Sequence, residues 1–168
     1  MSRAFEGLRS GQLDLLDAVI EGDKPINLAQ IELDDDCSHI IAKRQPAAGD
    51  LRLVLAVIKI ASDLERIGDE AKKIAKAARR LHSAETPFVP QVGLTQAVEL
   101  ALELLRASLD AFARVNPDGI EELRRKDAEI DASFKGVMRQ LITYMMEDPR
   151  TISSSLEVLF IAKAIERV

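Results

Sequence analysis

Glu65 and Asp69 stand four residues apart, and so do Asp127 and Asp131. On a helix, residues at that spacing face one another across one turn, and two carboxylates there repel unless a cation or a donor lies between them. Hard divalent cations, iron and manganese take oxygen-rich ligand sets of this kind. Spacing alone singles out neither pair. Random placement of the 28 acidic residues over 168 positions gives about four or five such pairs, and the chain has six. A solvated helix face is the plain alternative for both.

Few other side chains could carry chemistry. His39 follows Asp36 by three residues, the acid-to-His spacing of a di-iron carboxylate bundle. Those bundles need that element from two helices, and His82 has no acid three residues before it. Cys37 has no base fixed beside it and reads as a small buried filler. The run Ser153-Ser154-Ser155 has no partner histidine, and the glycines are scattered singly, so no phosphate-cradling loop is present.

The chain that must position these residues has a net charge of −5 and no basic stripe with interleaved aromatics, which argues against nucleic acid as a partner. One cysteine excludes an internal disulfide and suits a reducing cytoplasm. The polar start MSRAFEGLRS has no hydrophobic signal segment, and no apolar run approaches the roughly 18 residues of a membrane span. Ala, Leu, Ile, Glu, Arg and Lys dominate and no alternating stretch stands out, so the expected fold class is all-α.

A short helix over 1–9 closes at Ser10-Gly11. A longer one spans 12–43, with a kink or break near Gly22 and Pro25. Pro46 opens the strongest helix, which runs to about Leu81, with Asp50 near its positive end. On its wheel, Val57, Ile60, Leu64, Ala71, Ile74 and Ala78 share the apolar face, while Glu70 lies elsewhere. His82 to Pro90 reads as a linker. A helix over 94–115 follows. Asn116-Pro117 caps the next, which reaches about Met146, and Asp148-Pro149 repeats that signal before the last helix. Ile152, Leu156, Leu159, Phe160, Ala164 and Ile165 form its expected stripe.

Two halves line up. Asp23-Lys24-Pro25-Ile26-Asn27 precedes a proline-initiated helix carrying Leu64-Glu65-Arg66-Ile67. Asp127-Ala128-Glu129-Ile130-Asp131 precedes one carrying Ile165-Glu166-Arg167-Val168. Asp23 lies 42 residues before Glu65, and Asp127 lies 39 before Glu166. The repeat raises the carboxylates above chance, because matching helices packed side by side would converge their oxygens. The expected organisation is two tandem helical repeats, 1–83 and 90–168.

RQPAAGDLRLVLAVIKIASDLERIGDEAKKIA resembles the first signature of the PhoU family, accessory and regulatory proteins of bacterial phosphate uptake. VIEGDKPIN, IIAKRQP and VMRQLITYMMEDPRTISSSLEVLFIAKAIERV resemble further parts of it, close to its proteobacterial members. The resemblance covers nearly the whole chain. It implies two three-helix-bundle units, with most of the first unit's first helix missing and the last helix ending before its second motif is complete. It also implies an acid-x-x-x-Asp motif in each repeat, associated with bound metal ions. Glu65 and Asp69 match the first motif. Glu166 matches the start of the second, whose Asp partner would fall beyond Val168. Asp127 and Asp131 match the acids of the preceding helix, and Asp23 matches in the first repeat, where Asn27 stands as a neutral oxygen ligand. Asp50 and Asp148 match acids near the starts of the motif helices, as partner contacts or as plain helix-end charges.

The implied function is cytoplasmic control of phosphate uptake and of the phosphate-starvation response. It would act without a reaction, by contact with the ATPase of the phosphate transporter and a sensor histidine kinase. The chain would meet the membrane only through those partners. Fe, Mn, Mg or Zn could fill the carboxylate sites. An uncovered apolar groove in the first unit would drive self-association, with a homodimer expected. The rival readings are a structural helical scaffold that binds no metal and a carboxylate-bridged metalloenzyme.

Overall fold

The computed structural model describes residues 1–83, 88–115 and 118–168. All its regular elements are helical: α1 (Ser2–Ser10), α2 (Leu13–Glu21), α3 (Asp23–Arg44), α4 (Ala48–His82), α5 (Leu94–Ala113), α6 (Ile120–Glu147) and α7 (Ile152–Glu166). Gly11 ends α1 at φ 71°, a left-handed geometry that glycine adopts without a Cβ penalty. The long helix expected over 12–43 is two helices, broken at Gly22. Pro25 falls in the first turn of α3, where its missing N–H removes no intrahelical bond.

α4 begins just after Pro46, carries Asp50 in its first turn and ends at His82. The expected Asn116-Pro117 start of α6 lies outside the described residues; the helix itself begins at Ile120, after Gly119 at φ 90°. Asp148 caps the entry to α7. Its Oδ1 accepts the backbone N–H of Arg150 at 3.0 Å, and a 3-10 turn over Pro149–Thr151 leads into the helix.

α4 is the hub. It packs against α1, α2, α3 and α7, while α5, α6 and α7 pack on one another. Its C-terminal half explains how one helix serves so many neighbours. Glu70, Ala71, Ile74, Ala75, Ala77, Ala78 and Leu81 are all buried, an arc of about 160° at 100° per residue. The alanines let α1 and α2 approach on one side and α7 on the other. A single buried cluster runs from Ala4, Leu8 and Leu16 through α4 to Val158, Ile161 and Ile165, and on to Ile130, Val137 and Leu141.

The face of α7 differs from the expected stripe. Ser155, Val158, Ile161 and Ala162 are buried beside Ala164 and Ile165, whereas Ile152, Leu156 and Phe160 are exposed, Phe160 by 62%. The helix is apolar nearly all round, so periodicity could not choose its inner side. Glu70, placed off the apolar face of α4 by its wheel, is only 2% exposed because α7 covers that flank.

Candidate cation site between α3 and α4

Asp23 is the first residue of α3, where a carboxylate meets the positive end of the helix. It is 3% exposed. Lys72, reaching from α4, donates to its Oδ2 at 2.5 Å. The other oxygen, Oδ1, is buried without a hydrogen-bond partner, and so is the side-chain oxygen of Asn27 one turn further along α3. The helices meet closely because Gly68 has no side chain. A Cβ there would stand 3.2 Å from Ile26 Cδ1 and 3.9 Å from Asp23 Oδ1.

Glu65 and Asp69 flank Gly68 on α4, both half-buried. Glu65, Asp69 and Lys72 fall at i, i+4 and i+7, one face of the helix. The Lys72 ammonium is held above its ordinary pKa, chiefly by its hydrogen bond to Asp23, with the charges of Asp23, Asp69 and Glu65 adding to it. Lys72 thus links α4 to Asp23 of α3, within the charge field of Asp69 and Glu65. Lys72 is the partner of this site that a search for acidic ligands passes over, although its i+7 spacing from Glu65 was a usable signal.

Asp127 and Asp131 are exposed on α6. Asp127 lines a cleft of about 390 Å³ with Asp63, Arg66, Arg124 and Val168. Glu166 pairs with Lys163, whose ammonium sits 5.2 Å from the centre of the Phe134 ring. Among the described residues, no group of three or more His, Cys, Asp or Glu side chains assembles as a metal-binding set. This holds for Asp23, Glu65 and Asp69 too; what the first cluster offers a cation is two buried oxygens without donors, on Asp23 and Asn27.

The histidines are engaged elsewhere. His39 Nδ1 lies 3.0 Å from the Asp35 carbonyl of its own helix, and His82 Nε2 donates to the Leu8 carbonyl at 2.6 Å, tying the end of α4 to α1. Cys37 is buried. Asp50 is exposed in the first turn of α4. Asp148 is bound to Arg150, which holds its carboxyl below the usual range.

An all-helical bundle built on helix hairpins, with carboxylates where those helices meet, defines the class. The PhoU domain description matches residues 1–78 and 94–168, and the chain belongs to the PhoU family. It is 43% identical to the phosphate-specific transport system accessory protein PhoU of Escherichia coli (strain K12) over 169 residues, covering 100% of this chain and 69% of that protein. The Burkholderia sp homolog is 40% identical over 167 residues, covering 98% of this chain and 71% of its own length. The crystal structure of PhoU from Pseudomonas aeruginosa superposes with a TM-score of 0.92 at 36% identity, over 99% of this chain and 79% of that one. The phosphate transport system regulatory protein PhoU from Streptococcus pneumoniae gives 0.88 at 28% identity, over 99% and 77%.

Proposed function

We propose that the protein is a cytoplasmic regulator of phosphate uptake and of the phosphate-starvation response. It works by protein–protein contact with the ATPase of the phosphate transporter and the sensor histidine kinase, and it catalyses no reaction. The observation that carries this reading is the end-to-end likeness, in sequence and fold, to relatives named as accessory and regulatory proteins of phosphate transport. Among the described residues no helix is long and apolar enough to cross a membrane, which suits attachment through partners. Residues 1–83 and 90–168 act as two repeats joined along α4 and α7. Deleting the gene removes phosphate-dependent repression, and re-expression restores it; unchanged repression in the deletion strain overturns the reading.

Cation binding belongs to the same proposal. Asp23, Asn27, Glu65 and Asp69 carry the oxygens that would take an ion such as Mg, Mn, Fe or Zn, in competition with Lys72, which already bonds Asp23. Asp127, Asp131 and Glu166 are the weaker second set, and Asp50 and Asp148 are candidate partner contacts. A scaffold that binds no metal is the alternative, favoured because no group of three or more His, Cys, Asp or Glu side chains assembles among the described residues.

Self-association is the last part. A groove of about 510 Å³ runs between α3 and α4, walled by Ile26, Leu33, Val57, Ile60 and Leu64. Leu28, Ile31, Ile40, Leu53 and Leu55 on the same two helices are also exposed. An apolar groove of this kind marks an interface in soluble proteins. A homodimer covering it predicts twice the monomer mass in light scattering and reversion to monomer in Leu64→Glu; a wild-type monomer at working concentration overturns it.

A further inference from the structure

A carboxylate as buried as that of Asp23 needs a counter-charge, since an uncompensated buried charge strongly destabilises a fold. The chain supplies one from within. Lys72 reaches across from α4 and bonds Oδ2 at 2.5 Å, its own side chain 30% exposed. Asp69 and Glu65, one and two turns before it, share its face and its charge field. The ammonium is therefore the cation that joins α3 to α4 at Asp23.

The fit is incomplete in an informative way. An ammonium has three donors in tetrahedral directions, whereas a hard divalent ion gathers six or more oxygens. Lys72 satisfies one oxygen of Asp23, and Asp23 Oδ1 and the Asn27 oxygen stay buried without a donor. The cluster thus offers more oxygen acceptors than a lysine can use, yet its most buried carboxylate is already neutralised. An incoming ion must displace Lys72 from Asp23 and then share the cluster with a positive charge tethered beside it.

We infer that Lys72 is the resident cation of the Asp23–Asn27–Glu65–Asp69 cluster and holds divalent metal ions out of it. The inference rests on the reading of these oxygens as a cation site and is independent of the regulatory role. Lys72 is then the residue that decides whether α3 and α4 are joined by a metal ion or by a side chain of the protein itself. A chain with a neutral residue at this position would depend on dissolved metal for that joint, and this one does not.

The test compares the full chain with Lys72→Gln, using Mn²⁺ as the probe in calorimetric titration and thermal unfolding. Lys72→Gln is expected to melt below wild type in chelator, to bind Mn²⁺ about ten-fold or more tighter than wild type, and to regain its lost Tm when Mn²⁺ is added. Wild-type Tm stays flat over the same titration. Asp23→Asn/Lys72→Gln, which removes both charges, is expected to lose the Mn²⁺ response.

Equal, tight binding by wild type and Lys72→Gln overturns the inference and leaves the cation site standing. Absence of binding and of rescue in folded Lys72→Gln overturns both. A second measurement needs no variant. Paramagnetic broadening by Mn²⁺ of the amide signals of Asp23, Gly68 and Asp69 in ¹⁵N-labelled wild type is expected only at millimolar-scale excess. Broadening of those signals at stoichiometric Mn²⁺ overturns the inference.

Discussion

The guanidinium of Arg80 grips the carboxylate of Glu157 with two parallel hydrogen bonds, Nε to Oε1 at 2.7 Å and Nη2 to Oε2 at 2.6 Å. This fork–fork pair joins α4 to α7 near the end of α4, outside the apolar contact the two helices share. Arg80 is raised in pKa by that bond, and its side chain is 57% exposed. Solvent screening therefore limits the pair, although bidentate geometry places it at the better end of surface ion pairs.

A double-mutant cycle over Arg80→Ala and Glu157→Gln, read by urea unfolding, should return a coupling of about 0.5–1 kcal/mol that shrinks in high salt. A coupling of zero would mean that this ion pair adds nothing to the packing of α4 on α7.

Gly7 is where α1 meets α2. A Cβ at that position would lie 2.5 Å from Leu16 Cδ2 and 2.8 Å from Leu16 Cγ, and Leu16 is fully buried. Gly7→Ala is expected to cost about 1–3 kcal/mol by overpacking, and Leu16→Ala about 2–5 kcal/mol by leaving a cavity. The combined variant should cost less than the sum, because each change relieves the other. Strict additivity in denaturant titrations would contradict this contact.

Glu70 lies under α7 with Lys73 Nζ at 3.0 Å and Arg167 Nη1 at 3.4 Å. Removing both cations in Lys73→Ala/Arg167→Ala leaves its carboxylate without compensation. The expected loss is about 1–3 kcal/mol, below that of a fully buried pair because both cations are half exposed. Adding Glu70→Gln to that variant should recover part of the loss, and a further fall in stability would contradict the assignment.

Asp148 gives a pH signature. Its carboxyl is held low first by the Arg150 side chain and then by the Arg150 backbone N–H. A lowered folded value means the charged cap stabilises the fold above the unfolded aspartate value of about 3.9. That contribution is lost as pH falls through the lower folded value. Asp148→Asn keeps a cap acceptor but not the charge. Wild type should therefore be the more stable of the two at neutral pH, and their thermal unfolding curves should converge at strongly acidic pH. A constant gap across the acid range would contradict a charge-based cap.

Several helix boundaries were legible because they rest on local chemistry: glycine at Gly11, prolines at Pro25 and Pro46, and aspartate at Asp148. The facing of the helices was legible only where one side is polar. α7 is apolar nearly all round, so the burial of Val158 and Ile161 and the exposure of Phe160 were decided by α4 and α6. Glu70 looks like a surface residue on its own helix and is buried by a neighbour some ninety positions away. Asp23, Asn27, Glu65 and Asp69 were found as a set because the repeat drew attention to acids. Lys72 was not, because a search for ligands passes over a cation. The exposure of Asp127 and Asp131 and the pairing of Glu166 with Lys163 depend on where side chains point across a helix pair, which spacing does not encode.

α4 is one unbroken rod of 35 residues, about 52 Å at 1.5 Å per residue. Its two halves sit in different thermodynamic regimes. From Glu70 onward it is enclosed by α1, α2 and α7, whereas most of the stretch before Glu65 is half-buried or exposed and has α3 as its chief neighbour. Local opening costs least where few apolar contacts must be broken. Amide hydrogen exchange should therefore be slow from Ala71 to Leu81, approaching the global unfolding limit, and faster towards Leu51. The carboxylate cluster lies at the boundary, so Lys72 is anchored in the slow half while Glu65 belongs to the fast one. The grooved end of the molecule can fray and re-form on its own clock while the shared core stays shut.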